Sequence, residues 1–508
     1  MGTGDVALER AVGRTLDRWP TAGLAVAVVR PGERTWFHCH GVSDVTTGSP
    51  VTADTVFRVG SLTKTFTAVA VMQLCEQGRI DLDAPADDYL ATVRLRPERP
   101  GLGPATVRHL LTHTSGVGYW LRLSDLLRPV SGAGVEARRV QPLGVYYRRG
   151  IPQEVHPGTK WVYSNHGFAA LGQLVEDVSG QALREYLRDR VLDPLGMQHT
   201  DLTRSDRVSP GLATGYVLRR RGLVPARVRE VPTPGGGGLY STAADLACYL
   251  RCLLEGGSGP RGRILDPATV AQLFTPHYQP DPRLPGMGLG FDLAAEDGRR
   301  VAAKDGVVSG FLSAMALAPS AGTGVLALAN TGGLSGRGAP VEVVGAVLRE
   351  LLALPQDPIR HDITPRPDVW AELCGWYAPT PGMVTNLFTR ALMGAGAEVV
   401  VEGRRLVLKP LTPVPALRRG MVLHPDDPKD PYAFRVDFSS VGMGTLPVVF
   451  ATTDDGGRVG RLWLDLMGFD KRRDTHNPRR LLGAGLAAAT VAGGVARLTR
   501  RSSAHQTH

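Results

Sequence analysis

The segment over residues 57–78 constrains the fold of this chain more than any other stretch. A polar, glycine-bounded start at 57–68 leads into a second part, 69–78, that is apolar almost all round. Apolar side chains on every side predict a buried helix, and Gly78 is a natural stop after its last turn. The rest of the chain is therefore expected to be organised around this helix.

Two residues at the start of this helix form a candidate catalytic pair. Ser61 and Lys64 are three positions apart, which puts their side chains on one face, one turn apart. The hydroxyl lies near the unpaired N–H groups and the positive end of the helix dipole. A lysine amine in reach can take its proton if the amine's own pKa is depressed. An N-cap serine beside a solvated lysine is the alternative, because Ser-x-x-Lys also occurs by chance.

A tyrosine, a serine and an asparagine follow one another at 163–165, just before an apolar run that predicts another helix over 167–179. The functional interpretation gives Tyr163 a phenol that carries protons and Asn165 an amide that binds a substrate carbonyl. In the alternative interpretation, Ser164 or Asn165 only caps the helix. The residue types alone leave both open.

Lys304 and Gly306 lie on a predicted strand that precedes two more, at 313–318 and 324–329. A lysine on such a strand can present a cation beside a cleft. A glycine two positions later lets a substrate lie close to the backbone. Taken alone, this pattern is weak evidence for a site.

Two irregular stretches have less specific patterns. Residues 117–155 are rich in arginine and contain Trp120, Tyr146 and Tyr147, so they form either a functional loop or a solvated excursion. The glycine run at 235–238 predicts a flexible loop before a helix. It lacks the Gly-Lys-Ser/Thr ending of a phosphate-binding loop, so we predict no nucleotide site there.

No metal site and no cofactor are predicted. His38 and His40 share a strand face but have no cysteine or carboxylate partner nearby. His109 and His113 have the spacing of a zinc pair, but the glutamate of H-E-x-x-H is missing. We expect structural roles for both pairs.

Composition places the chain among soluble globular proteins of two or three domains. It has 508 residues, of which 43% are hydrophobic and 21% charged. The net charge of +10 is uneven, because residues 471–508 contain eight lysines and arginines against one aspartate, which gives +7. The remainder is nearly balanced and has no nucleic-acid module, so we expect no nucleic-acid partner.

The cysteines and the N-terminus predict a cytoplasmic location. Five scattered cysteines do not form a disulfide framework, which favours a reducing compartment. Buried free thiols are the default for Cys39, Cys75, Cys248 and Cys252. The first ten residues have neither the basic nor the apolar region of a signal peptide.

Taken in order, these motifs resemble the serine β-lactamase-related family. That family contains class C β-lactamases, D-alanyl-D-alanine carboxypeptidases, D-aminopeptidases and related esterases. The resemblance covers roughly residues 5–355. It depends on Ser61-x-x-Lys64, Tyr163-Ser164-Asn165 and Lys304-x-Gly306, together with three supporting segments at 110–116, 194–197 and 237–242. It implies an α+β fold, in which an antiparallel sheet flanked by helices adjoins an all-helical region and the site lies in the crevice between them.

The resemblance also implies roles for individual residues. Ser61 is the nucleophile that accepts the acyl group, and Lys64 and Tyr163 manage its proton. Two nearby ammonium groups are expected to favour a phenolate at Tyr163, which lowers its pKa. The remaining roles concern substrate binding. Asn165 binds substrate, Lys304 and Gly306 line the site, and the backbone N–H groups of Ser61 and Val307 form the oxyanion hole.

The C-terminal part of the chain predicts three further regions. A proline-rich linker at 356–368 separates a hydrolase domain at 1–355 from a small β domain at 369–475, which weakly resembles a lipocalin-like module. The short strands predicted for this β domain include one at 461–467. A basic, apolar tail occupies 476–508. It is too short and too rich in glycine for a clear membrane span, and weak contact with a membrane surface is the alternative to a solvated tail.

The sequence therefore predicts a serine hydrolase that works through an acyl-enzyme on small-molecule or peptide substrates with an amide or ester bond. D-amino-acid peptides and small esters come ahead of β-lactams, because Asp305 stands where the family usually has Thr or Ser. The alternative from another class is a non-catalytic member that uses the same fold for binding or assembly. Retention of all three motifs argues against that alternative.

Overall fold

The chain divides into two compact units in a computed structural model that describes residues 3–120, 140–220, 222–227, 230–332, 338–441, 444–452 and 457–479. The first unit consists of residues 1–358, 381–387 and 441–444. The second consists of residues 359–380, 388–440 and 445–508. Whether 1–355 and 369–475 are independent folding domains stays a prediction.

A seven-stranded antiparallel sheet forms the centre of the first unit. Its spatial order is Asp292–Glu296, Arg299–Val308, Phe311–Ala318, Thr323–Ala329, Gly23–Val29, Trp36–Asp44 and Ser49–Pro50. The strand Gly23–Val29 is buried along its whole length. Its alternate side chains enter two different cores, Ala25, Ala27 and Val29 on one face and Leu24, Val26 and Val28 on the other. Both faces of the sheet are therefore covered.

Helices supply the two covering layers. Thr3–Arg18 and Ala339–Leu351 pack on one face of the sheet. On the other face lie Ala243–Leu254 and the helices around the predicted central one. The predicted antiparallel sheet with flanking helices is thereby confirmed. The other helices of this unit are Val107–Leu111, Leu143–Tyr146, Asn165–Ser179, Leu183–Leu187, Pro234–Gly237 and Pro267–Leu273, with a π-helical turn at Arg188–Leu192.

The predicted central helix is present as Thr63–Glu76, directly after a 3₁₀ turn at Gly60–Leu62. Its residues from Thr63 to Leu74 are all buried. Gly78 has a φ of +67° and ends it as predicted.

Three short strand pairs and one three-stranded sheet also belong to the described part of the first unit. The pairs are Phe57–Arg58 with Tyr240–Ser241, Leu95–Pro97 with Ile151–Gln153, and Ser258–Gly259 with Gly262–Arg263, and the small sheet joins Tyr216–Arg219 to Gly222–Pro225 and Thr331–Gly332. The first of these pairs ties the segment before Ser61 to the one that follows the glycine run.

The second unit is a nine-stranded antiparallel sheet. Its order is Met421–Val422, Arg405–Pro410, Ala397–Glu402, Gly375–Pro379, Met467–Arg472, Val459–Leu464, Thr445–Thr452, Ala433–Asp437 and His424–Pro425. Only Leu423 separates the first strand of this order from the last, so the two ends of the sheet meet in a nearly closed barrel. Its helices are Trp370–Leu373 and Leu387–Met393. The predicted lipocalin-like β domain is consistent with this fold.

Three sequence predictions are corrected. The glycine run is a buried helical turn, Pro234–Gly237, because the missing side chains let it pack tightly against neighbouring helices. The single strand predicted at 461–467 is two strands with a tight turn at Asp465, whose φ is +52°. The five cysteines are free, but only Cys252 is buried, since Cys39 and Cys248 face solvent.

The described part of the chain contains no helix of the length and apolarity that a bilayer span requires. Nearly all of the basic tail, from residue 480 onward, lies outside the described residues, so its predicted membrane-surface contact stays a prediction.

Candidate active site

The 3₁₀ turn that carries Ser61 is pressed against the strand Arg299–Val308. A Cβ atom on Gly306 would lie 2.1 Å from the carbonyl oxygen of Val59 and 3.0 Å from the backbone nitrogen of Ser61. A Cβ atom on Gly60 would lie 2.8 Å from the backbone nitrogen of Val307. Only glycine allows this approach. It brings Gly306 and Val307 beside the candidate nucleophile, as the sequence predicted.

Lys64 is completely buried, and three oxygen atoms surround its nitrogen. Its Nζ donates to Asn165 Oδ1 at 2.7 Å and to the carbonyl oxygen of Gly236 at 2.5 Å, and it lies 3.1 Å from Ser61 Oγ. Burial, and then the charge of Lys304, hold the pKa of Lys64 well below its usual range. A neutral amine has two N–H bonds for the two amide oxygens, so its lone pair is left for the proton of Ser61.

Tyr163 donates a hydrogen bond to the same hydroxyl from the other side. Its phenol oxygen is 2.6 Å from Ser61 Oγ. The amine nitrogens of Lys64 and Lys304 lie 4.7 Å and 5.1 Å from the centre of its ring. The expected lowering of its pKa is wrong, because burial raises the pKa of Tyr163 well above its usual value. The phenol is thus a proton donor here.

Asn165 is the first residue of the helix Asn165–Ser179, and Ser164 caps that helix by accepting from the backbone N–H of Gly167 at 3.1 Å. The capping interpretation is confirmed for Ser164, and the functional interpretation stays a prediction. Ser164 is the cap, and Asn165 faces Lys64. The contact shown for the Asn165 side chain is with Lys64, so its binding of substrate stays a prediction.

Lys304 is held by an acidic partner that sequence reasoning missed. Its Nζ is 2.8 Å from Asp292 Oδ2, and its side chain is only 2% exposed. Asp292 begins the neighbouring strand Asp292–Glu296, which pairs with Arg299–Val308. The sequence Asp-Leu-Ala-Ala-Glu has no β-branched residue, so its pattern does not predict a strand. Without that strand, the ion pair between Asp292 and Lys304 cannot be predicted either.

The sequence also does not predict the contact between the carbonyl of Gly236 and Lys64. It predicts a loop for the glycine run, whereas the backbone of this run supplies one of the three oxygen atoms around the amine of Lys64. A Cβ atom on Gly235 would lie 2.8 Å from the carbonyl oxygen of Phe168. Four consecutive glycines before a helix are themselves a signal for such close backbone packing.

His113 packs against Tyr163 and Ser164, in agreement with the structural role expected for it. Its Nδ1 accepts from the backbone N–H of Ser164 at 3.1 Å, and its ring centre is 4.6 Å from that of Tyr163. Burial, then Lys304 and Lys64, hold the pKa of His113 well below its usual value, so the ring is neutral. Among the described residues, no cluster of three or more His, Cys, Asp or Glu side chains is arranged to hold a metal ion.

The sequence matches the family described as Beta-lactamase over residues 8–345. The chain belongs to the Beta-lactamase family. The match spans the predicted hydrolase domain, and all of the residues at the site lie within it.

Relatives of this Beta-lactamase family member include two curated proteins and a solved structure. The chain is 28% identical to an unguisins hydrolase of Aspergillus campestris, over 63% of this chain and 60% of that protein, so it spans about three fifths of that relative's length. It is 31% identical to penicillin-binding protein 4 of Amycolatopsis lactamdurans, over 68% of this chain and 91% of that protein. The octameric penicillin-binding protein homologue from Pyrococcus abyssi superimposes with a TM-score of 0.60 at 24% identity, covering 93% of this chain and all of that one, which shows the fold.

Proposed function

We propose that the protein is a serine hydrolase that forms an acyl-enzyme on Ser61. The observation that carries this proposal is the environment of Lys64, whose buried amine donates to two amide oxygens and lies 3.1 Å from the serine hydroxyl oxygen. Burying an amine without a bound counter-charge costs free energy. A protein used only for binding or assembly would gain nothing from burying this amine. The arrangement therefore favours catalysis over the non-catalytic alternative.

The proposed reaction begins with proton transfer from Ser61 to Lys64. The serine oxygen then attacks the carbonyl carbon of the substrate, and the bond between that carbon and the leaving group breaks. The proton held by Lys64 passes to the leaving amine or alkoxide, by way of the phenol of Tyr163. Water, deprotonated by the same groups, then releases the acid product and restores Ser61.

The oxyanion of this reaction needs two converging N–H donors. We assign them to the backbone N–H groups of Ser61 and Val307. Support comes from the close approach of their two segments, which the missing side chains of Gly60 and Gly306 allow. Asn165 and Lys304 complete the proposed binding surface.

The proposed substrates are amides and esters, with D-amino-acid peptides and small esters ahead of β-lactams. One similar protein is named a hydrolase and another a penicillin-binding protein, which supports acyl transfer in general terms. The choice between peptidase and esterase belongs to experiment.

Covalent labelling tests this proposal. A fluorophosphonate and a fluorescent penicillin are applied side by side, and the modified residue is located by mass spectrometry. We expect the fluorophosphonate to label Ser61, with faster labelling than by the penicillin. Labelling that persists in Ser61→Ala, or none in the folded wild-type chain, would show that the assignment of the nucleophile is wrong.

A further inference from the structure

The described residues of the first unit enclose a cavity whose lining excludes Ser61, Lys64 and Tyr163. Its volume is about 930 Å³, within the range of small-molecule pockets. Part of its wall comes from the described ends of the arginine-rich stretch whose role the sequence left open. The side chains that matter for its chemistry are Arg96, Arg99, Arg148, Arg149, Trp120 and Tyr146.

The carboxylates in the cavity wall are already engaged. Glu98 forms an ion pair with Arg96, at 2.5 Å. The carboxylate of Glu154 accepts hydrogen bonds from the backbone N–H groups of Met383 and Thr385, which belong to the same unit. Neither acid is thus free to neutralise further cations.

The positive charge of the wall exceeds its negative charge by two. Arg96 and Arg99 are matched in number by the two glutamates, which leaves Arg148 and Arg149 in excess. Both of these arginines are exposed. Within the described ranges, no hydrogen-bond or ion-pair partner reaches either guanidinium group. Two guanidinium groups in one cavity wall, without a partner among the described residues, attract an oxyanion, because their N–H forks match the geometry of carboxylate and phosphate.

The same wall offers flat apolar surface. Trp120 and Tyr146 are partly exposed and line the cavity together with the arginines. Aromatic faces and guanidinium planes both stack against a flat or hydrocarbon group. The chemistry of the wall therefore suits a ligand that joins an oxyanion to an apolar body.

Two contacts connect this cavity to the segment that carries Tyr163 and Asn165. The cavity-lining Gly118 accepts, through its carbonyl oxygen, a hydrogen bond from the Ser164 hydroxyl at 3.1 Å. The cavity-lining Tyr147 has its hydroxyl 2.8 Å from Nδ1 of His166, the residue after Asn165. The cavity wall therefore contacts the residues on either side of Asn165.

We propose that this cavity is a subsite for an oxyanion of the substrate, carried on an apolar or aromatic body, and that Arg148 and Arg149 are the residues that bind it. The assignment to substrate rests on the proposed hydrolase function. It narrows the substrate class to esters or amides that have a carboxylate or phosphate at a distance from the scissile bond.

Calorimetric titration tests binding without any need for turnover. The 508-residue chain is titrated with 4-phenylbutyrate, with phenyl phosphate and with the neutral 4-phenylbutyramide. We expect at least one anion to bind more tightly than the amide, and its identity shows which oxyanion the site takes. The double variant Arg148→Gln/Arg149→Gln should weaken anion binding on the order of tenfold or more, because two charged hydrogen-bond donors are lost.

A matched control is available in the same unit. Arg219 and Arg220 are likewise adjacent and exposed, and they do not line the cavity. The variant Arg219→Gln/Arg220→Gln therefore removes the same charge and should leave anion binding at the wild-type value. Equal binding of anion and amide by the wild-type chain, or equal weakening by the two double variants, would overturn the proposal.

Kinetics test whether the bound anion belongs to the substrate. The mono-4-nitrophenyl ester of suberic acid is compared with 4-nitrophenyl octanoate, which has the same chain length and no charge. The ratio of their kcat/KM values should fall about tenfold in the Arg148/Arg149 variant and stay unchanged in the Arg219/Arg220 variant. An unchanged ratio in both would exclude a substrate subsite. If Ser61 is neither labelled nor active, the hydrolase proposal fails, and the calorimetry still decides the anion site.

Discussion

Lys64 has oxygen atoms and no carboxylate within hydrogen-bond distance among the described residues. Its depressed pKa follows from that environment, and Tyr163 keeps its proton for the same reason, which is burial. In the proposed mechanism the two groups have different roles. The amine accepts the proton of Ser61, and the phenol donates a hydrogen bond to the Ser61 oxygen.

Tyr163→Phe removes the phenol proton and keeps the ring that packs against His113. We expect kcat to fall by a factor on the order of 10³, as for other members of a catalytic unit, with little change in the midpoint of thermal unfolding. Lys64→Ala should be about as damaging, and the double variant little worse than either single variant. If Tyr163→Phe kept most of its turnover, the proton would have to travel through Lys64 alone.

Lys304→Gln tests the electrostatic link between the two lysines. The charge of Lys304 lowers the pKa of Lys64, whereas the charge of Asp292 raises it and is retained in the variant. Loss of the Lys304 charge therefore raises the pKa of Lys64, so less neutral amine is present at a given pH. The acid limb of the kcat/KM profile should therefore move to higher pH. Lys304→Arg keeps the charge and is the control. An acid limb that moves to lower pH in Lys304→Gln would contradict the assignment.

Local motifs predict Ser61, Lys64 and Tyr163 as one group, and the structure brings their polar atoms together. Motifs do not predict the carbonyl of Gly236, which contacts Lys64 from 172 positions away. Partners of this kind are set by how elements pack, and a single sequence contains that information only indirectly.

At the scale of elements, the contact between the 3₁₀ turn Gly60–Leu62 and the strand Arg299–Val308 requires a glycine at position 306. Gly306→Ala would place a Cβ atom 2.4 Å from the hydroxyl oxygen of Ser313, as well as against Val59. We expect a loss of about 1–3 kcal/mol in the free energy of unfolding, as for other overpacked positions. Labelling of Ser61 by a fluorophosphonate should slow as well, because the turn must move.

Gly345 supplies the control for that variant. It lies in the helix Ala339–Leu351, and a Cβ atom there meets nothing within 4 Å. Gly345→Ala should raise helix stability by up to about 1 kcal/mol and leave labelling unchanged. Equal labelling rates in the two variants would show that the close approach at Gly306 does not position Ser61.

The helix Asn165–Ser179 contains a titrating group at its second position. Burial, and then Lys64, lower the pKa of His166 to about 4 from 6.5. The unfolded chain therefore binds a proton first as pH falls, and stability is lost from about pH 6.5 down to about pH 4. From pH 7 to pH 5 this one group should cost the wild-type chain about 2 kcal/mol.

Urea unfolding of His166→Gln checks this expectation. The variant should lose less stability between pH 7 and pH 5 than the wild-type chain does. His40→Gln, at an exposed position, should lose as much as the wild-type chain. The prediction is wrong if the two variants have the same pH dependence.

Most elements could be predicted, because long buried helices and β-rich runs have strong patterns. The glycine run and the turn at Asp465 could not, since each depends on backbone geometry that tertiary packing selects. The sequence pattern at 461–467 was continuous in hydrophobicity, and a positive φ at one aspartate was enough to divide it into two strands.

At the scale of the whole molecule, both units have cores of their own. In the second unit the rings of Tyr377 and Phe434 each pack edge-on against Phe450, with centres 5.8 Å and 5.6 Å apart. In the first unit, the residues assigned to catalysis lie between positions 61 and 307. The predicted linker at 356–368 follows all of them, and most of its residues are exposed.

Cleavage of the intact chain within that linker tests whether the two parts work independently. A protease site is introduced after Gln356, and Ser61 labelling by a fluorophosphonate is measured before and after cleavage under native conditions. We expect the labelling rate to stay within about twofold, because loop connections contribute little to a site built elsewhere. An uncut chain with the same insertion is the control.

Separation of the fragments is a stricter test, since it removes residues 381–387, which belong to the first unit. If labelling is lost on cleavage alone, continuity of the chain through the linker maintains the site, and the predicted boundary at 355 is wrong. If it is lost only on separation, the first unit needs its later segments to hold the site.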